Sequence, residues 1–244
     1  VAAAGAGRAV GAGQRRGGAA PARRPLGRRL RLARARGFGA HGGDLGSGVT
    51  TRLAQRHPEA LVGIHLLAVG SPEIEDDAAL SEAERAYVRQ VRAWERDEGG
   101  YEHEQQTRPV TLGYGLTDSP VGLLAWIVEK LRAWSDCGGD LATRFSDDEV
   151  LTWTSLYWLT NTIATSFRPY SEFRASPPGP PHVTVPTAVA VFPRDLTQPP
   201  REWAARGYAV TRYTTMPRGG HFAAFEEPDL LAADLQGFFA QLVG

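Results

Sequence analysis

Cysteine is almost missing from this sequence: Cys137 stands alone among 244 residues. That excludes an internal disulfide framework and fits a reducing compartment or a fold that makes no use of such links. No apolar run approaches the ~18 residues of a membrane-spanning helix, so none is expected, and the cytoplasm is the default location. Acidic residues are absent from the first 40 positions, where ten arginines stand. Removing those ten from the 27 basic residues leaves 17 against 27 acidic ones, a net of −10 after position 40. The later, ordinary part of the chain is therefore acidic, which argues against a nucleic-acid-binding surface there.

Residues 1–36 lack nearly everything that a fold needs. Only Val1, Val10, Gln14, Leu26, Leu30 and Leu32 depart from Ala, Gly, Arg and Pro, and glycine and proline interrupt every stretch. Three readings stand open. One is a disordered basic tail that touches nucleic acid or anionic lipid. Another is a targeting peptide, although it has neither an apolar h-region nor serine. The third is an artefact of GC-rich DNA read in a shifted frame, since these four residue types have codons written wholly in G and C. Ordinary texture begins abruptly at Arg36-Gly37-Phe38, which favours the third.

Beyond residue 36 the chain has the 3.6-residue and strand-like patterns of a globular protein, and its length suits one large domain or a core with an insertion. Residues 37–41 read as a short strand, 42–47 as a sharp turn, and about 47–55 as a helix with Val49, Leu53 and Ala54 near one face. Residues 61–69 form an apolar run of the kind expected for a buried parallel strand. Strand, turn, helix, strand is a βαβ unit. From Ser71 to Pro181 the pattern turns helical. A helix is expected from Ser81 to Glu95, and Ser119-Pro120 opens another that runs to Trp134. Ser146 and Glu149 have capping-box spacing before a helix over 150–163. Pro177, Pro178, Pro180 and Pro181 close the block. Strands return at 183–185, 187–192 and 208–215, a short helix lies around 201–206, and a last helix runs from Pro228 to Leu242, burying Leu231, Leu235, Phe238 and Leu242.

Gly42-Gly43-Asp44-Leu45-Gly46 has the form Gly-x-nucleophile-x-Gly, with a reactive side chain held on a strained strand-to-helix turn. A glycine-flanked aspartate on its own is usually just a turn. The rest of the chain supplies the partners. Asp195 follows a later strand, and His221 follows the last one within Arg218-Gly219-Gly220-His221-Phe222, so nucleophile, acid and base come in the order this kind of site uses. All three fall at the C-terminal ends of strands, where open α/β sheets place their sites. Glu226 and Glu227 are read as serving the N-terminus of the last helix. His41, His57 and His65 are read as structural, and Trp126, Trp153, Tyr157 and Trp158 as core packing.

These motifs resemble the microsomal-type epoxide hydrolases. The resemblance runs from about Gly37 to Gly244 on His41-Gly42-Gly43-Asp44-Leu45-Gly46-Ser47, Phe192-Pro193-Arg194-Asp195 and the stretch from Arg218 to Pro228. Intervening segments match as well: Gly100-Tyr101 with Thr107-Arg108-Pro109, residues 118–123, and Phe167-Arg168-Pro169-Tyr170. It implies an α/β class chain, a partial α/β-hydrolase fold with a mostly helical cap inserted between sheet strands. The core is expected over 37–70 and 183–244, and the cap over 71–182.

The resemblance also implies a chemistry. Asp44 opens an epoxide and forms an ester, while Tyr101 and Tyr170 hydrogen-bond the epoxide oxygen. His221, oriented by Asp195, activates water against the ester, and the Leu45 N–H helps to hold the oxyanion. A small apolar epoxide and water are the expected partners, and no metal or organic cofactor enters. A haloalkane dehalogenase-like hydrolase is the alternative enzyme. Two departures stand out: Leu45 replaces the tryptophan usual after the nucleophile, and no His-Gly-x-Pro occurs, the loop that normally gives a second oxyanion N–H. With a first residue other than Met, they lead to the expectation of an N-terminally truncated chain, and of a non-catalytic, poorly stable fragment as a further alternative.

Overall fold

The computed structural model describes residues 37–74, 79–175 and 179–243. The segment 1–36, with its three readings, lies outside the described residues, as do Pro177 and Pro178 of the proline boundary.

A strand β1 (Phe38–Gly42), a helix α1 (Leu45–Arg56) and a strand β2 (Leu61–Leu66) open the described chain. Seven helices come next: α2 (Glu82–Glu98), α3 (Gly100–Thr107), α4 (Pro109–Asp118), α5 (Pro120–Trp134), α6 (Asp147–Thr160), α7 (Ile163–Ser166) and α8 (Arg168–Ala175). Then come β3 (Val183–Val191), α9 (Arg201–Ala205), β4 (Tyr208–Thr215), α10 (Ala223–Glu226) and α11 (Pro228–Val243). The strands form one sheet in the order β1-β2-β3-β4, parallel throughout. The two strand pieces expected around Pro186 are one strand. Its pairing with β4 shifts register on either side of that proline, because proline gives the ladder no N–H and an interior strand tolerates it at an irregularity.

Strand β2 shows how the sheet is clad. Ile64 and Leu66 pack with Ala54 and Leu53 of α1. The alternate positions Gly63 and His65 face α11, meeting Phe238 and Asp234, as the two-residue period of a strand dictates. The inner side of α1 differs from expectation. Ser47, Thr50, Thr51 and Ala54 are buried, whereas Val49 is 58% exposed. Two of the buried hydroxyls tie the helix down: Ser47 bonds the Gly42 carbonyl at 2.8 Å and Thr51 the Tyr208 hydroxyl at 3.1 Å.

The helices between β2 and β3 enclose a core of their own, built on Leu116, Leu123, Ile127, Leu131, Phe145, Val150, Ile163 and Phe167. Their starts agree with the sequence. Ser81 with Glu84, and Ser146 with Glu149, make reciprocal capping boxes. Helix α6 stops at Asn161, which takes a left-handed conformation (φ 53°), so Ile163 begins a separate helix. Trp126, Trp153 and Tyr157 pack against this core; Trp158 lies at the surface. Glu84 does more than cap, since its buried carboxylate also binds the Arg206 guanidinium after α9. In α11, Leu231 and Phe238 are buried, and Leu235 and Leu242 only partly so.

Candidate active site

The turn from β1 to α1 places Asp44 at φ 48°, ψ −130°, a region that costs a non-glycine residue about 1–3 kcal/mol. Contacts close by hold it there. A Cβ on Gly42 would lie 2.1 Å from the Gly46 carbonyl oxygen, so the bend needs glycine at that point. Gly46 has open space around it, and the turn does not demand glycine there. The buried Ser47 hydroxyl donates to the Gly42 carbonyl at 2.8 Å and accepts from the Ala68 N–H at 3.3 Å. It thus ties the start of α1 to both β1 and the end of β2.

Asp195 lies in the turn after β3, where its N–H returns to the Phe192 carbonyl. Its Oδ1 accepts from the Leu196 N–H at 2.7 Å and lies 2.7 Å from His221 Nδ1. His221 Nε2 lies 3.1 Å from Asp44 Oδ2. The imidazole therefore bridges two carboxylates. Burial weighs against its charge, but the hydrogen bonds to Asp195 and Asp44 outweigh that and raise it to about 9. The protein around Asp44 opposes its ionisation, yet the His221 hydrogen bond and charge hold its carboxyl below the ordinary range. Its side chain stays 39% exposed. The backbone of Leu45 adds a hydrogen bond to the Asp44 carboxylate.

Tyr101 in α3 and Tyr170 in α8 meet edge to face, with ring centroids 6.0 Å apart. Burial raises both phenols. Asp44 adds to the rise, foremost after burial for Tyr170, which goes to about 12. Both phenols are thus held in the protonated form, with a hydrogen bond between them and the Asp44 charge among the causes.

No family model matches the chain. It is 45% identical over 205 residues to a putative epoxide hydrolase of Stigmatella aurantiaca, an alignment covering 83% of this chain and 47% of that protein. It is 37% identical over 238 aligned positions to epoxide hydrolase 1 of Sus scrofa, covering 84% and 51%. Among solved structures it matches the Aspergillus niger epoxide hydrolase with a TM-score of 0.73 at 32% identity, over 86% of this chain and 54% of that one. It matches the juvenile hormone epoxide hydrolase of Bombyx mori with a TM-score of 0.77 at 26% identity, over 89% and 57%. Over most of its length the chain is thus similar to epoxide hydrolases of the α/β-hydrolase fold. It spans about half the length of the curated relatives it matches.

Several groups around these residues escaped the sequence reading. Trp134, at the end of α5, stands between the phenols and the imidazole, 5.0 Å from the Tyr101 ring and 5.4 Å from that of His221. Lys130, the one lysine of the sequence, lies 4.9 Å over the Tyr101 ring and 3.1 Å from Glu98. The buried Gln105 donates to the Tyr101 carbonyl at 3.1 Å and hydrogen-bonds Tyr170. Helical spacing marks such residues as packing and carries no sign of what they pack on.

The reading of Glu226 and Glu227 also needs correcting. The Glu226 carboxylate takes the N–H groups of Asp136, Gly220 and Phe222, and Glu227 pairs with Arg144 and Arg218. Both carboxylates hold loops, while the Glu227 carbonyl accepts the Leu231 N–H at the start of α11. His41 and His65 face each other at 3.0 Å, and His65 is bound to Asp234 at 2.9 Å. These two belong to the packing of α11 on the sheet. A groove of about 400 Å³ opens beside the elbow, lined by Asp44, Ser47, Thr51, Ala68, Gly70 and Tyr208 among others. Another cavity, of about 620 Å³, lies at the junction of Glu84 and Arg206 and is lined by none of the candidate residues. Among the described residues no cluster of His, Cys, Asp and Glu is of a size to hold a metal ion, and no helix is long and apolar enough to cross a membrane.

Proposed function

We propose that this chain converts an epoxide and water to a vicinal diol through an ester on Asp44. The observation that carries the reading is the line from Asp195 through His221 to Asp44, set against two protonated phenols that feel the Asp44 charge. Residues 37–70 and 183–244 act as the core, residues 71–182 act as the cap, and residues 1–36 take no part.

The proton balance is set by the electrostatics. In the resting state Asp44 is ionised and His221 is protonated. An Asp44 oxygen attacks an epoxide carbon, the ring C–O bond breaks, and the oxygen takes a proton from Tyr101 or Tyr170. Asp44 is now a neutral ester, so one of the two charges that raise His221 has gone. The imidazolium then returns a proton to the phenolate and becomes a base. Neutral His221 takes a proton from water, whose oxygen adds to the ester carbonyl. The Leu45 N–H already points at that carboxyl and meets the oxyanion where it forms. Collapse releases the diol and restores the Asp44 carboxylate beside a protonated His221.

The test uses an aryl epoxide and a bromoalkane in parallel, with a single turnover in ¹⁸O water. Diol should form, with the label entering the Asp44 carboxylate and not the diol. Asp44→Ala should lower turnover by at least ~10³-fold. Label in the diol at the first turnover would sink the ester. Halide release without diol favours the dehalogenase alternative, and a folded chain that forms neither product favours the non-catalytic one.

A further inference from the structure

The base sits on the cap and the core at once. Four successive backbone N–H groups around it are engaged. Gly219 donates to Asp136 Oδ2 at 3.0 Å, Gly220 to Glu226 Oε2 at 3.1 Å, and Phe222 to Glu226 Oε1 at 3.0 Å. His221 itself donates to the Trp134 carbonyl at 2.8 Å. Trp134 is the last residue of helix α5, and Asp136 follows its C-cap, Ser135. The Glu226 carboxylate reaches across to that side as well, accepting the Asp136 N–H at 2.6 Å. There is no slack in this joint. A Cβ on Gly220 would meet the Trp134 carbonyl at 2.6 Å, the Asp136 nitrogen at 2.8 Å and Glu226 Oε1 at 2.9 Å. Arg144 seals the outer side, bonding the Asp136 carbonyl and carboxylate and the Glu226 carbonyl.

We infer that Glu226 is a positioning residue for His221: one buried carboxylate clips the histidine loop to the end of cap helix α5, so that the base and the cap move as one body. The inference rests on the proposal that His221 is the base. Glu226 is 8% exposed and touches neither Asp44 nor Asp195 among its hydrogen bonds. It acts through the loop. Without the clip, the imidazole loses its fixed approach to the two carboxylates that raise its pKa.

The experiment needs no substrate. In isotope-labelled chain, the His221 side-chain resonance, assigned by its loss in His221→Gln, is titrated by NMR in the parent, Glu226→Gln and Glu227→Gln. Glu227 is the control, since it carries two ion pairs but takes no N–H of the histidine loop. The parent should titrate near 9, Glu226→Gln should fall by about one pH unit or more, and Glu227→Gln should stay near the parent. A parent value near 9 with no change in Glu226→Gln overturns the clip and leaves the Asp195–His221–Asp44 line standing. A parent value near that of free histidine overturns the line and the clip with it. Amide exchange in the unaltered chain covers the case of a variant that does not fold. Asp136, Gly220 and Phe222 N–H groups should open with one common free energy. Fast independent opening of Phe222 overturns the inference.

Discussion

The Asp44 elbow and the histidine loop face each other across 3.1 Å, yet they are built on opposite plans. The elbow is strained and its backbone is held mostly from nearby: Gly42, Asp44, Gly46 and Ser47 act on one another within six residues, and the Leu67 and Ala68 N–H groups add ties from the end of β2. The histidine loop is held from far away, by groups 82 to 90 residues distant in the chain. A short-range device keeps its geometry on its own, whereas a long-range one exists only when the helices after β2 are in place on the sheet. Asp44 is thus fixed by its own strand and helix, and His221 by the packing of the end of helix α5 against the loop after β4.

The largest effect that sharpens this contrast lies in the elbow. Gly42→Ala should cost about 3 kcal/mol or more in urea unfolding, because a backbone carbonyl cannot move aside for the new Cβ. Gly46→Ala, four residues on and facing open space, should stay within ~1 kcal/mol of the parent on the stabilising side. If both cost the same, the elbow is not held by that one close approach.

Next in size is the pH dependence of the contact between the two loops. His221 is raised from 6.5 unfolded to about 9 folded. Its contribution is therefore complete below about 6.5 and is lost as pH climbs to 9, a fall on the order of 2–3 kcal/mol. Asp44 has the opposite sign: its lowered pKa gives stability above the ordinary carboxylate range that is lost as pH falls through the folded value. Urea midpoints between pH 6 and 9.5 should decline in the parent and decline less in Asp44→Asn. An equal slope in both would mean that Asp44 does not contribute to the rise.

Smaller effects probe the far-reaching ties of the histidine loop. Arg144, 21% exposed, bonds Asp136, Glu226 and the buried Glu227. Its replacement by alanine should cost about 2 kcal/mol, leaving Glu227 with Arg218 alone. Arg218 is 61% exposed on the same carboxylate, and Arg218→Ala should cost ~0.5 kcal/mol or less. Comparable losses from the two would show that surface charge, and not the buried joint, steadies the loop.

Much of this was written in the sequence. Gly42-Gly43-Asp44-Leu45-Gly46 announced the elbow, and the Ser81–Glu84 and Ser146–Glu149 pairs announced two helix starts, because a turn or a cap is settled among residues a few positions apart. The order Asp44, Asp195, His221 along alternating strands and helices gave the site its place, since parallel strands bring their C-terminal ends to one edge. Other features came only with the tertiary structure. Nothing near Glu226 says that it takes three N–H groups, one of them 90 residues back. The pattern around Trp134 and Lys130 says only that a helix packs there, while their place beside Tyr101 and His221 depends on how that helix lies. The physical reason is range. Backbone geometry and capping are decided by neighbours in the chain, whereas a buried carboxylate or an indole edge takes its role from whatever the packing of helices on the sheet brings within a few ångströms.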